Sequence, residues 1–284
     1  MKKWSFFIAL GLVSLSSSAR AAPVTNVYVA ESAVGAASGT DCANAFAVSW
    51  FNDAADWGSG ANQIGPGTTV HLCGTFTVAV GATLLTAQGD GATGAPITIL
   101  FEPGSGITSP GMGVGIELGG HAHFVVDGGA TCGYTNEPGS ADIPCNGYFA
   151  NTANGDGLAN HVSTSAIRET GGDVEVRNLL FENLYVPTKW LLKPGYQPYP
   201  VCVYFAGAGA RLDFHNNIAH DVDWCLNGDA DDVVMAILFG HLAQDTSRVG
   251  RLGRRRLSAL PAERLRRTRR GCRRWGRRGP RRVG

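Results

Sequence analysis

Cationic side chains are almost missing from the body of this chain. Residues 22–247 hold only Arg168, Arg177, Lys189, Lys193 and Arg211, against twenty-two Asp and Glu. A surface with that balance repels phosphate backbones and anionic lipid, which excludes a nucleic-acid partner or a membrane surface for the body. Long apolar runs are missing too: only the first segment is apolar enough to suggest membrane insertion. No two cysteines stand as C-x-x-C, so the familiar zinc spacings are absent. No helical periodicity separates the alternating segments, which excludes βαβ units. Charged residues make up 17% of the chain, below the usual ~25%, while glycines number 39. An apolar share of 44% still supplies a sizeable core.

The formal net charge of +1 conceals two unlike regions. Residues 248–284 carry sixteen Arg, no Lys and one acid, Glu263, for +15. The remainder carries eight basic residues and twenty-two acids, for −14. Such an asymmetry argues against one uniform domain.

The chain begins with Lys2 and Lys3, a mostly apolar run over 4–15, and then Ala19, Arg20 and Ala21 in an A-x-A pattern. This predicts a signal peptide over 1–21, a mature chain from about Ala22, and secretion to the periplasm or outside. Six body cysteines agree with an oxidising compartment. Fifteen connectivities are open. Closeness in sequence favours Cys132–Cys145, with Cys42–Cys73 and Cys202–Cys225 as the remaining pairs; the alternative is that several are buried thiols.

Along the body, Thr40 and Asp41 open a predicted helix to about Trp57, with Phe46, Ala47, Trp50, Phe51 and Ala54 on its apolar face. Short strands are predicted over 68–73, 96–101, 123–127 and 173–177, each closed by a Gly, Pro or Asn turn. Residues 129–172 read as a long loop region. The clearest internal repeat has a period of 38. Sliding 174–184 by that step lays Val174 on Leu212, Val176 on Phe214, Asn178 on Asn216, Leu180 on Ile218 and Asn183 on Asp221. An apolar–x–apolar–x–Asn pattern suits short strands parted by tight polar turns and stacked coil on coil. Asn tolerates the left-handed backbone of such turns and can bond to the next coil. Two strands of an ordinary sandwich are the alternative. In the stacked arrangement Val174, Val176, Leu212 and Phe214 point inward.

The segment from Val27 to about Met235 resembles the secreted right-handed parallel β-helix proteins of the pectate-lyase-like superfamily. The likeness rests on residues 28–57, IGPGTTVHLCG (64–74), GAPITILFEPG (94–104), and DVEVRNLLFENLYV (173–186) with its echo RLDFHNNIAHDVDW (211–224). It implies an all-β solenoid over 22–236, capped at its open end by the 41–57 helix. It also implies a polysaccharide partner, with lyase or hydrolase activity, although adhesins share the architecture. The lyase pattern of Lys or Arg beside Ca²⁺ has no matching motif, and the G-H-G and R-I-K pieces of the hydrolases are absent.

Carboxylates crowd between 221 and 232. Asp223, Asp229, Asp231 and Asp232 are the candidate Ca²⁺ ligands, and Asp231 and Asp232 the candidate acid/base pair. A solvated acidic turn is the competing interpretation. His121 and His123 could place two imidazoles on one strand face, and Trp190, Tyr196, Tyr199 and Tyr204 could stack sugars. Past Met235 the repeat loses its Asn, with Ile237 and Leu238 in its place. The all-Arg run that follows is what a shifted reading frame in GC-rich DNA produces. The tail 237–284 is therefore expected to be aberrant, and the chain to lack catalytic activity. The function expected of the parent protein is polysaccharide cleavage; the alternative is a non-catalytic surface or matrix protein for adhesion or glycan binding.

Overall fold

The computed structural model describes residues 22–130, 146–153, 162–186, 200–207, 211–229 and 232–239; for His220, Asp229 and 232–239 it describes the backbone alone. Residues 1–21, expected to be a signal peptide, the Arg-rich tail, Cys132, Cys145 and Asp231 lie outside the described residues, as do Trp190, Tyr196 and Tyr199.

The protein is all-β, and its strands pair in parallel in two sheets. After an opening strand β1 (Asn26–Ala30) and a two-residue β2 (Phe46–Ala47), three sets of strands recur in chain order. The first set is β3 (Thr69–Leu72), β6 (Ile97–Phe101), β9 (Ala122–Asp127), β12 (Gly172–Arg177) and the start of β15 (Arg211–His220). The second is β4 (Thr75–Thr77), β7 (Gly106–Ser109), β10 (Gly147–Asn151), β13 (Leu179–Glu182) and the end of β15. The third is β5 (Thr83–Thr86), β8 (Val114–Gly119), β11 (Ser165–Glu169), β14 (Val201–Ala206) and β16 (Trp224–Asp229). Each strand pairs with its counterparts in the same set, so pairing skips the two strands between. Long β15 joins the first two sets into a twelve-stranded sheet, and the third set forms a five-stranded one. A last strand, β17 (Asp232–Phe239), pairs with β15 out to Phe239, three residues past the expected boundary at 236.

The period of 38 is the pairing register. Val174 faces Leu212, Val176 faces Phe214 and Leu180 faces Ile218. All four strand residues expected to point inward are buried. The polar turns sit where the pattern put them: Asn178, Asn183, Asn216 and Asp221 all have φ between 53° and 58°. Left-handed backbone of this kind suits Asn and Asp, whose short side chains bond locally. Asn178 bonds back to Asp127, whereas the bond between the 178 and 216 turns comes from a neighbouring residue. Asn217, fully buried, accepts from the Leu179 N–H and donates to the Val176 carbonyl, whereas Asn216 faces solvent.

One apolar cluster fills the space among the three sets. Phe101, Phe149, Phe181 and Phe214 form a column in it, with successive ring centroids 5.5, 5.4 and 5.9 Å apart. Stacked and edge-on rings at such spacing contribute beyond their burial.

The single helix expected over 41–57 does not form. Its residues divide into a 3₁₀ turn (Cys42–Asn44), β2, one α-helical turn α1 (Val48–Phe51) and a second 3₁₀ turn (Ala54–Asp56). Competing partners explain the break. Phe46 and Ala47 pair with Val29 and Ala30, and Cys42 is disulfide-bonded to Cys73. Asn44 accepts from the Ala36 N–H and Asp53 from the Ala55 N–H, local bonds that compete with helix. The covering role survives in another form. Asn52 donates to the Leu84 carbonyl and accepts from the Thr86 N–H, both at 2.8 Å, which satisfies edge strand β5. Phe51 and Trp57 seal the apolar end edge-to-face, at 5.0 Å.

Candidate functional site

Alternation along the first set sends every second side chain outward, and parallel pairing lines these side chains up in rows. Register places Asp127, Arg177 and His215 in one row, and Val125, Glu175 and Asp213 in the next. By the same steps His123, Asp173 and Arg211 form a third. Chemistry-bearing groups separated by up to 92 positions in sequence thus share one outer face.

The first two rows are cross-linked. Arg177 Nε donates to Asp127 Oδ2 at 2.7 Å and its Nη1 to Glu175 Oε1 at 2.6 Å. His215 Nε2 lies 3.0 Å from the same Glu175 oxygen. Asp127 also accepts from Asn178 Nδ2 and the Gly129 N–H. Burial works against the Arg177 charge, but its bonds to Asp127 and Glu175 outweigh that and hold its pKa above the ordinary value. Asp213, beside Glu175, has no hydrogen bond or ion pair among the described residues, and nor does Arg211.

The third row edges a groove of about 260 Å³, lined by Thr93, Pro96, His123, Val125, Asp173, Glu175, Arg211 and Asp213 among others. His123 Nδ1 faces Asp173 Oδ2 at 3.4 Å. Both residues have left-handed backbone, with φ of 62° and 51°. Two such non-glycine residues opposite each other reshape the strand edge at the groove, at a cost of order 1–3 kcal/mol each.

The expected acidic cluster is distributed differently. Asp223 is half-buried and accepts from the Val186 N–H at 2.9 Å. Burial pushes its pKa up to about 6, with the Val186 bond acting the other way. Asp229 stands at the far end of β16, roughly 20 Å from Asp223 at ~3.3 Å per residue. One Ca²⁺ cannot bind both. Asp232 opens β17 in register with Arg211, on the first set, while Asp231 lies outside the described residues. Among the described residues no three His, Cys, Asp or Glu side chains converge on a metal position. His121 and His123 do not act as a pair: His121 lies 3.3 Å from Asp90, and His123 faces Asp173. Tyr204 sits on the third set, in register with Arg168 and Asn227.

Of the expected disulfides, Cys42–Cys73 is formed. Cys202 and Cys225 are thiols whose sulfurs face each other at 3.3 Å, on paired strands β14 and β16. The third set also carries Glu169, fully buried, its carboxyl oxygens without a hydrogen-bond partner. Burial raises its pKa to about 7, against a smaller opposing effect of the Gly171 backbone.

Asp127, Glu175, Arg177 and Asp213 escaped the sequence reading, although their signal lay in the same repeat. DVEVR and RLDFH were read for their apolar positions. Their alternate positions, Asp173, Glu175 and Arg177 against Arg211, Asp213 and His215, were already aligned by the step of 38. No family model, curated protein or solved structure matches the chain.

Proposed function

We propose that this chain is a secreted right-handed parallel β-helix protein of the pectate-lyase-like kind, which holds a polysaccharide on its first outer face and cleaves it, against the inactivity expected from its tail, because the residues that carry the chemistry all precede that tail. The recurrence of three strand sets, each pairing only with itself, supports the solenoid. The observation that carries the function is the placement of Glu175 beside Asp213 on adjoining strands, at the rim of a groove, with Arg177 and His215 in the next row.

Two carboxyl groups in that relation suit glycoside hydrolysis. Neighbouring strands are about 4.8 Å apart, close to the ~5–5.5 Å between the carboxyls of retaining hydrolases. One group, as the acid, gives its proton to the leaving glycosidic oxygen while the other attacks the anomeric carbon. Water then releases the glycosyl group, and the first carboxylate takes a proton from that water. Glu175, held by Arg177 and His215, is the fixed partner; Asp213 is the unencumbered one. The test is reducing-sugar release from a glycan panel by the full chain, Asp213→Asn and Glu175→Gln, with and without chelator. Release that is lost in both variants is expected. Release unchanged in both would move the chemistry elsewhere.

A second reading is glycan binding without cleavage. It is favoured by the mutual pairing of Asp127, Arg177, Glu175 and His215, which leaves one unpaired acid in the two cross-linked rows. Retention on a glycan with no product would select it.

A further inference from the structure

Resting on the polysaccharide reading of the groove, we infer that its ligand is an uncharged glycan and that polyuronates are excluded. Among the described side chains, the outer rows carry four carboxylates, Asp127, Asp173, Glu175 and Asp213, against two guanidinium groups, Arg177 and Arg211. A polyanion needs unspent positive charge, and little is present. Arg177 directs Nε at Asp127 and Nη1 at Glu175, His215 meets Glu175, and His123 meets Asp173. Arg211 alone has no described carboxylate partner, and Asp232 of β17 stands in register with it on the next strand. Two unpaired groups line the groove, Arg211 and Asp213, and a uronate drawn to the first meets a like charge at the second.

An uncharged chain meets no such barrier. Its hydroxyls donate to the open lone pairs of Asp213 and Glu175 and accept from Arg211. Pro96 gives apolar surface for the C–H faces of the rings.

The test uses glycans matched in backbone and different in charge: polygalacturonate and its fully methyl-esterified form, and alginate and its propylene glycol ester. Affinity electrophoresis of the full chain at fixed ionic strength reads binding, with circular dichroism checking the fold. The esterified member of each pair should bind at least tenfold more tightly. Asp213→Asn should narrow the gap at least threefold by improving polyuronate binding. Arg211→Glu, at an exposed position outside the ion-pair network, should widen it. Equal or tighter binding of the polyuronates by the unaltered chain overturns the inference while sparing the polysaccharide reading. Folded protein that binds none of the four overturns both.

Discussion

The first and third strand sets are built alike inside and differ outside. Both are parallel, both pair only within their set, and both contribute to one apolar cluster. The outer row of the third set reads Thr86, Glu117, Arg168, Tyr204 and Asn227, and its charges close on themselves in a single Arg168–Glu117 pair. The first set presents three rows whose described side chains include four carboxylates, two guanidinium groups and three imidazoles, His71 among them. The interior constrains every repeat to the same packing, whereas outward positions are released from it. A site on such a scaffold is found from its outward rows.

The comparison can be broken most forcefully from within. Phe181 stacks on Phe149 and Phe214 and is fully buried, so Phe181→Ala should cost about 3–5 kcal/mol. Urea unfolding followed by two probes should show both sets failing in one transition; separate transitions would divide the core that unites them.

Glu169 lets the third set be perturbed by pH. Its pKa rises from 4.5 to about 7 on folding, so the folded state holds the proton more tightly. The stability this supplies is fully present below pH 4.5 and is lost as pH rises to about 7, on the order of 3 kcal/mol in all. Glu169→Gln should match the parent near pH 4 and exceed it at pH 8. Parallel stability curves for the two proteins across this range would show that Glu169 is solvated.

Corresponding arginines sharpen the contrast at smaller scale. Arg177→Ala removes two charged hydrogen bonds and leaves Asp127, only 7% exposed, short of a partner; a loss of about 1–3 kcal/mol is expected. Arg168→Ala breaks one ion pair, with Glu117, in place of two, and should cost less than Arg177→Ala. Equal losses in thermal unfolding would mean that the two faces are held alike. Asp213→Asn should shift stability least, within about 0.5 kcal/mol, because Asp213 has no described partner. Abolished sugar release with an unchanged melting temperature is the outcome that assigns Asp213 to the chemistry.

Several features could be read directly from the residues. The strand segments over 68–73, 96–101, 123–127 and 173–177 match β3, β6, β9 and β12 to within a residue at each end. Alternation and turn residues are local signals, and the step of 38 is the register itself. The 41–57 helix misled because its apolar spacing is real but its backbone had other partners, in β1 and in the Cys42–Cys73 bridge. The acidic stretch misled for a related reason: nearness in sequence is not nearness in space when an extended strand, β16, lies between Asp223 and Asp229.

The amino-acid sequence by itself determined the all-β character, the apolar interior positions and the left-handed polar turns, because each depends on a residue and its immediate neighbours. Tertiary structure alone decided which charges meet beyond that 38-residue step. Asp127, Arg177 and His215 lie 50 and then 38 residues apart, and only parallel pairing at about 4.8 Å brings them into one row. The loop lengths between strands set that register, and the energy of stacking the apolar interior enforces it.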